Sequence, residues 1–368
     1  MQPLRNYIKP LRNVAESFAV GAAGGALFTL AGFPAGWIAG SMLFSAIAAL
    51  AGRPILVPTW LARAFFIALG ISIGAVATPE TVVGMATWPI SIVVICLAMI
   101  CIAAATAFYL TRVHGWDKQV AVLAGSPGAL SQVMVLAAEY RLDLRGIAIV
   151  QTARVIMLAI GLPAGLALFG HVGPAQLAVG LPIAQAPGEF AVLVIGSTLL
   201  GLLLFRLGFS GGLIFGPMLV SAVLHGGGFV HVTLPPVVVY SAMVALGTIA
   251  GSRFTNTPFR EVLSYLGAAI GSFAVAITVA AGFALITTTL LALPTAGVVI
   301  AYAPGSVDAM MVMALALQVD PVFVGAHHLT RLFLVALAMP LVVRWVAPPG
   351  VTPLPPPLKK PRSDGIDD

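Results

Sequence analysis

The sequence predicts an all-α polytopic membrane protein. It is read as two inverted-topology repeats of about five spanning helices, each with one helix broken or re-entrant at a Pro-Gly step. Three observations carry this. Apolar residues make up 60% of the 368 and charged residues 8%, with a mean hydropathy of +1.06, whereas a soluble domain carries about 25% charge. Secondly, the stretch 124–163 returns as 301–340, displaced by 177 positions: Pro127 falls on Pro304, Gly128 on Gly305, Arg154 on Arg331 and Pro163 on Pro340. Lastly, the loop Lys and Arg residues gather on one side when the Pro-Gly stretches dip into the membrane and return.

In chain order, Arg5, Lys9 and Arg12 precede a first apolar segment at 14–31. The next segment follows almost at once, which favours an uncleaved first helix over a signal peptide. Further spans are read at 34–51, 59–78, 86–111 and 145–169, then 189–206, 210–225, 235–252, 262–288 and 321–345. Most approach the ~20 residues that cross the hydrocarbon. Between the fourth and fifth span of each half lies an interrupted apolar stretch, 119–140 and 294–318. Gly32 to Leu43 also matches Gly208 to Leu219, and Ala68-Leu69-Gly70 with Gly74 matches Ala245-Leu246-Gly247 with Gly251. The chain is therefore read as a tandem duplication, 1–170 and 171–346, followed by a disordered Pro-rich basic tail at 347–368.

Crossing Pro-Gly stretches would give six spans per half and parallel halves. Re-entrant stretches give five and inverted halves. With the N-terminus inside, the five-span arrangement puts Arg53, Arg112, Lys118, Arg141, Arg145, Arg206, Arg253, Arg260 and Arg344 inside. It leaves Glu80, His171, His225, His231 and Asp320 outside. The positive-inside rule therefore favours inversion, with both termini cytoplasmic.

Candidate site residues cluster at the breaks. Ser126 is read as capping a half-helix, with Pro127 at its first position and Gly128 next. Ala303, Pro304, Gly305 and Ser306 are the counterpart, and Ala303 has no capping side chain. Helix N-termini at mid-membrane can hold an anion; the plainer reading is a Pro kink that shapes packing. Two such breaks in corresponding repeats favour a site. Arg154 and Arg331 lie about ten residues into their spans, where an Arg needs a partner or water. They either bind a carboxylate or serve structurally, by pairing with an acid or capping half-helix carbonyls. Asp308, in the first turn after Pro304, is either a cap or ion-pair partner of Arg331 or Arg154, or a proton- or sodium-coupling acid. Ser131, Gln132 and Ser306 are further candidate polar contacts, and Glu139 reads as an interfacial charge. Adjacent His327 and His328 diverge on a helix and do not chelate. Gly36, Gly40, Gly212 and Gly216 read as helix contact faces, and Cys96 and Cys101 as packing residues.

On these residues the chain resembles the bacterial AbrB-type membrane proteins. The paired Gly-Phe-x-x-Gly-x-Ile-x-Gly-x-Met-Leu and Pro-Gly stretches carry the likeness, over about residues 20–345. It implies an internally duplicated membrane domain. Members of the family bear the labels regulator of gene expression and ammonia monooxygenase, and neither label comes with residues that map here. A copper or iron oxygenase needs clustered His or carboxylate ligands, which six scattered His do not supply. The sequence shows no nucleotide-binding loop, HExxH or paired catalytic carboxylates.

The expectation is a non-enzymatic secondary transporter of a small, anionic, organic solute in the bacterial inner membrane, with no metal or cofactor. The partners expected are the lipid bilayer and the solute, with proton or sodium coupling, a homo-oligomer as an option and no nucleic acid. A membrane-embedded regulator that binds a ligand without moving it is the alternative.

Overall fold

The structure is a computed structural model describing residues 2–77, 88–127, 130–170, 180–209 and 211–347; of residues 2–10 and 131 only the backbone is described. The described residues form 14 α-helices, two short 3-10 turns and no strand. The first seven helices are α1 (Gln2–Leu30), α2 (Gly36–Leu50), α3 (Thr59–Gly74), α4 (Trp88–His114), α5 (Lys118–Gly125), α6 (Leu130–Glu139) and α7 (Leu144–Leu168). The next seven are α8 (Pro187–Arg206), α9 (Gly212–Gly226), α10 (Pro236–Gly251), α11 (Phe259–Leu291), α12 (Thr295–Tyr302), α13 (Val307–Ala316) and α14 (Pro321–Val346). The order repeats: α2 and α9 each have 15 residues, α3 and α10 have 16, α5 and α12 have 8, and α6 and α13 have 10.

Six helices are long and apolar enough to cross a membrane: α4, α7, α8, α10 with its following turn, α11 and α14. The short segments α2, α3 and α9 are apolar but shorter than the read spans. The helix read over 59–78 ends at Gly74, and its last residue lies outside the described residues, as do Glu80, His171 and all but the first residue of the read tail.

Glycines set how the halves lock. A Cβ on Gly24 would strike the carbonyl of Gly40, and one on Gly216 would lie 2.7 Å from the Cα of Gly201. These are corresponding crossings, α1 on α2 and α8 on α9. Across the halves, Gly70 and Gly74 of α3 abut Ile214 and Met218 of α9. Reciprocally, Gly247 and Gly251 of α10 abut Ile38 and Met42 of α2. Residue numbers rise together in both pairs, so α3 runs parallel to α9, and α2 to α10. Close backbone approach through small residues is what lipid-embedded helices use in place of a hydrophobic drive. Of the four glycines read as contact faces, Gly36 meets Thr29, Gly40 meets Gly24, Gly212 meets Leu204 and Gly216 meets Gly201.

Polar and apolar contacts mark the two ends. Ile55 and Phe254 share a cluster with Ala46 and Ala49. Arg145 pairs with Glu261 at 3.2 Å, and Tyr265 donates to Asp143 at 3.0 Å. At the other end the amide of His231 donates to Glu189 at 2.7 Å. The loops holding Arg53, Arg145 and Arg253 are thus gathered at one end. Cys96 is partly buried and Cys101 exposed, both as free thiols, so Cys101 is not the packing residue expected.

Candidate functional site

Both Pro-Gly stretches break a helix. Proline lacks an N–H and forces the residue before it into extended backbone. Ser126 (ψ 122) and Ala303 (ψ 132) accordingly end α5 and α12. This corrects the expected caps. Ser126 closes the preceding helix, and its buried Oγ has no partner. Pro127 lies in the break, and the described part of α6 is Leu130–Glu139. In the second half Pro304 and Gly305 form the break, while Ser306 is the N-cap of α13 and accepts from the Ala309 amide at 3.4 Å. Gly128 lies outside the described residues, as does the side chain of Ser131.

Each intramembrane arginine caps the break in its own repeat. Arg154 donates from Nη1 to the Gly125 carbonyl at 3.4 Å and from Nη2 to the Ser126 carbonyl at 3.0 Å. Arg331 donates to the carbonyls of Ala303 at 2.8 Å and Gly305 at 2.7 Å. The last carbonyls of a helix lack partners and carry the negative pole of its dipole, so a guanidinium satisfies both needs. Of the readings left open by the sequence, carbonyl capping is the one seen. Both side chains are buried, 5% and 1% exposed, and lie within electrostatic reach of each other. The Nε of each is buried without a partner.

Two corresponding side chains flank them. Gln151 donates to the Leu123 carbonyl at 2.8 Å, and His328 meets the Ile300 carbonyl at 3.3 Å. These are corresponding positions, one glutamine and one histidine, each one turn from its arginine. His327 points elsewhere: its Nε2 meets Ser91 Oγ at 2.8 Å and its Nδ1 the Phe323 carbonyl at 2.8 Å. Tyr302, just before the second break, donates to the Ser91 carbonyl at 2.8 Å and accepts from Thr287 at 3.0 Å.

Among the described residues, both breaks contribute to one cavity, with Leu130 and Gln151 from the first. That cavity, of about 340 Å³, reaches the second break; Arg154, Gly305, Ser306 and Asp308 line it, and Arg331 does not. Its other charged residue is Arg253, on the turn after α10, and Phe66, Phe205 and Phe215 supply apolar wall. Arg253 also lines a second cavity of about 380 Å³, together with Arg145 and Glu261. Arg253 therefore stands between the end where the basic loops gather and the inner cavity. Asp308 is half-buried in the first turn of α13. Its electrostatic partner is Arg253, not Arg331 or Arg154 as expected. Gln132 is not brought to this cavity; it lines a separate one with Glu139 and Pro340.

Four contributors were not singled out from the sequence: Arg253, Gln151, Phe66 and Phe205. Gln151 had a legible signal, since the 177 shift places it on His328. The two phenylalanines carried none.

Comparison with known proteins gives a consistent picture. The family described as "Transition state regulatory protein AbrB" matches residues 37–347. A protein of Escherichia coli K12 named "Putative regulator AbrB" is 24% identical over 322 residues, covering 85% of this chain and 90% of that protein. "Uncharacterized protein YhjN" of Bacillus subtilis 168 is 25% identical over 359 residues, covering 88% and 90% respectively.

Proposed function

The chain belongs to the AbrB family, and on that premise we propose that it is a secondary transporter moving a small organic anion across the cytoplasmic membrane. One observation carries the reading. A cavity ends at a mid-helix break, walled by a buried arginine whose Nε has no partner and by a carboxylate at a helix start. Broken helices at corresponding places in two repeats are how many secondary transporters build a site at mid-membrane. Arg154 and Arg253 give the cavity an excess of positive charge over Asp308. The coupling ion, a proton or sodium, acts through Asp308.

Inverted repeats and cytoplasmic termini are part of the proposal. An antiparallel pair of α2 and α3 across the connector 51–58 would set α9, which runs parallel to α3, against α2, its counterpart in sequence. The gathering of Arg53, Arg145 and Arg253 at one end supports the same topology under the positive-inside rule.

The test is uptake of labelled monocarboxylates into proteoliposomes under an imposed proton or sodium gradient, with Arg154→Lys beside the wild type. Gradient-dependent accumulation that weakens in the variant is the expected result. A relative's name favours a second reading, a membrane-embedded regulator that binds a ligand only. Saturable binding without uptake in the same vesicles would select it.

A further inference from the structure

The charges that face the inner cavity narrow the solute. Its ionisable lining residues are Arg154 on α7, Arg253 after α10 and Asp308 on α13, a net charge of +1. Arg154 is buried and Arg253 exposed, so the buried part of that excess is the costly part. A monoanion brings the site to neutrality, while a dianion overshoots, and a zwitterion or a cation leaves the excess in place.

The donors and acceptors narrow it further. Arg154 turns one N–H of each terminal nitrogen to the Gly125 and Ser126 carbonyls, and its positive charge stays beside the cavity. Among the described residues Arg253 makes no hydrogen bond, and its fork is free to grip a carboxylate at two points. Asp308 also makes none among the described residues, although its neighbour Ser306 is engaged with Ala309. A carboxylate is an acceptor only. Once water is displaced, it needs a donor from the ligand. The apolar wall of Phe66, Phe205 and Phe215 fits a hydrocarbon body. At about 340 Å³ the cavity is at the small end of ligand sites.

Resting on the anion-transport reading above, we infer that the solute is a small hydroxy monocarboxylate. Its carboxylate is gripped by Arg253 with the Arg154 charge nearby, and its hydroxyl donates to Asp308. A plain carboxylate of the same skeleton leaves Asp308 with the charge of Arg253 but without a hydrogen bond from the ligand. Losing a hydrogen bond to a charged group corresponds to roughly tenfold to hundredfold in affinity.

The experiment measures stabilisation of the purified full chain by matched acids. The pairs are lactate with propionate, 2-hydroxy-4-methylpentanoate with 4-methylpentanoate, and 3-phenyllactate with 3-phenylpropionate. In at least one pair the hydroxy acid is expected to half-saturate at a concentration at least tenfold lower than its partner. Asp308→Ala, or Asp308→Asn if the alanine variant does not fold, is expected to shrink that ratio to below about threefold while plain-acid binding is kept. Equal binding within every pair, or a ratio unchanged in the variant, overturns the inference and leaves the anion reading standing. If none of the six acids binds while leucine does, the anion reading itself falls and takes this one with it.

Discussion

Replacing Arg331 by lysine tests whether these arginines hold the helix breaks. The guanidinium spans two carbonyls, Ala303 at 2.8 Å and Gly305 at 2.7 Å, from a position 1% exposed. A lysine keeps the charge, but one ammonium on a shorter reach does not span both acceptors. At least one charge-assisted bond is lost, worth about 1.5–3 kcal/mol, and a buried carbonyl is left without a donor. Arg154 makes the same pair of bonds at 3.4 and 3.0 Å. Its lysine variant therefore forfeits less, about 1–2 kcal/mol, since hydrogen bonds weaken with length. Denaturant titration of both variants in one detergent reads the difference, as a lower midpoint at unchanged slope. Arg331→Lys should be the less stable of the two, while Arg154→Lys should be the one that weakens acid binding, because only Arg154 lines the inner cavity. Wild-type stability for Arg331→Lys would refute the capping argument.

Other outcomes follow from the same contacts. In a background with Cys96 and Cys101 replaced, single cysteines at 53, 145 and 253 should react with an impermeant thiol reagent from one and the same side of the membrane; opposite labelling of 53 and 145 would sink the inverted arrangement. Gly247→Leu places a side chain where even a Cβ would lie 2.8 Å from the Ile38 carbonyl, so folded yield should collapse, whereas Gly161→Leu, whose Cβ meets nothing within 4 Å, should express normally. Tyr302→Phe removes the bond to the Ser91 carbonyl, while Thr287 keeps the Phe283 carbonyl, which should cost about 0.5–1.5 kcal/mol in the same titration.

Much of this architecture was legible because it is written in residue types with few alternative uses. Proline ends helices by sterics, so both breaks fell where Pro127 and Pro304 put them. The recurring glycines mark real helix contacts, because close backbone approach tolerates little else. The caps were harder. Ser126 and Ser306 both flank a Pro-Gly step, yet one follows a helix and the other precedes one, because Ser126 stands before its Pro-Gly step and Ser306 after. Arg154 and Arg331 were recognisable as needing partners, but those partners are backbone carbonyls 26–29 residues away, and backbone carries no sequence signal. Arg253 was read as one more loop charge. Its place in the cavity comes from tertiary packing of the turn after α10 beside α2, which no local pattern encodes.

The reciprocal seating of α2 on α10 and of α3 on α9 also sets a schedule for biogenesis. Ser45 and Thr248, which meet at 3.4 Å, are separated by 203 residues. At about 5–20 residues per second, a ribosome takes roughly 10–40 s to deliver the second after the first. Through that interval α3 waits with Gly70 and Gly74 uncovered by α9, and α2 with Ile38 and Met42 uncovered by α10. The first half is therefore expected to need cover until its own second half arrives. Co-expressed separate halves should find each other, and a lone first half should be cleared by quality-control proteases.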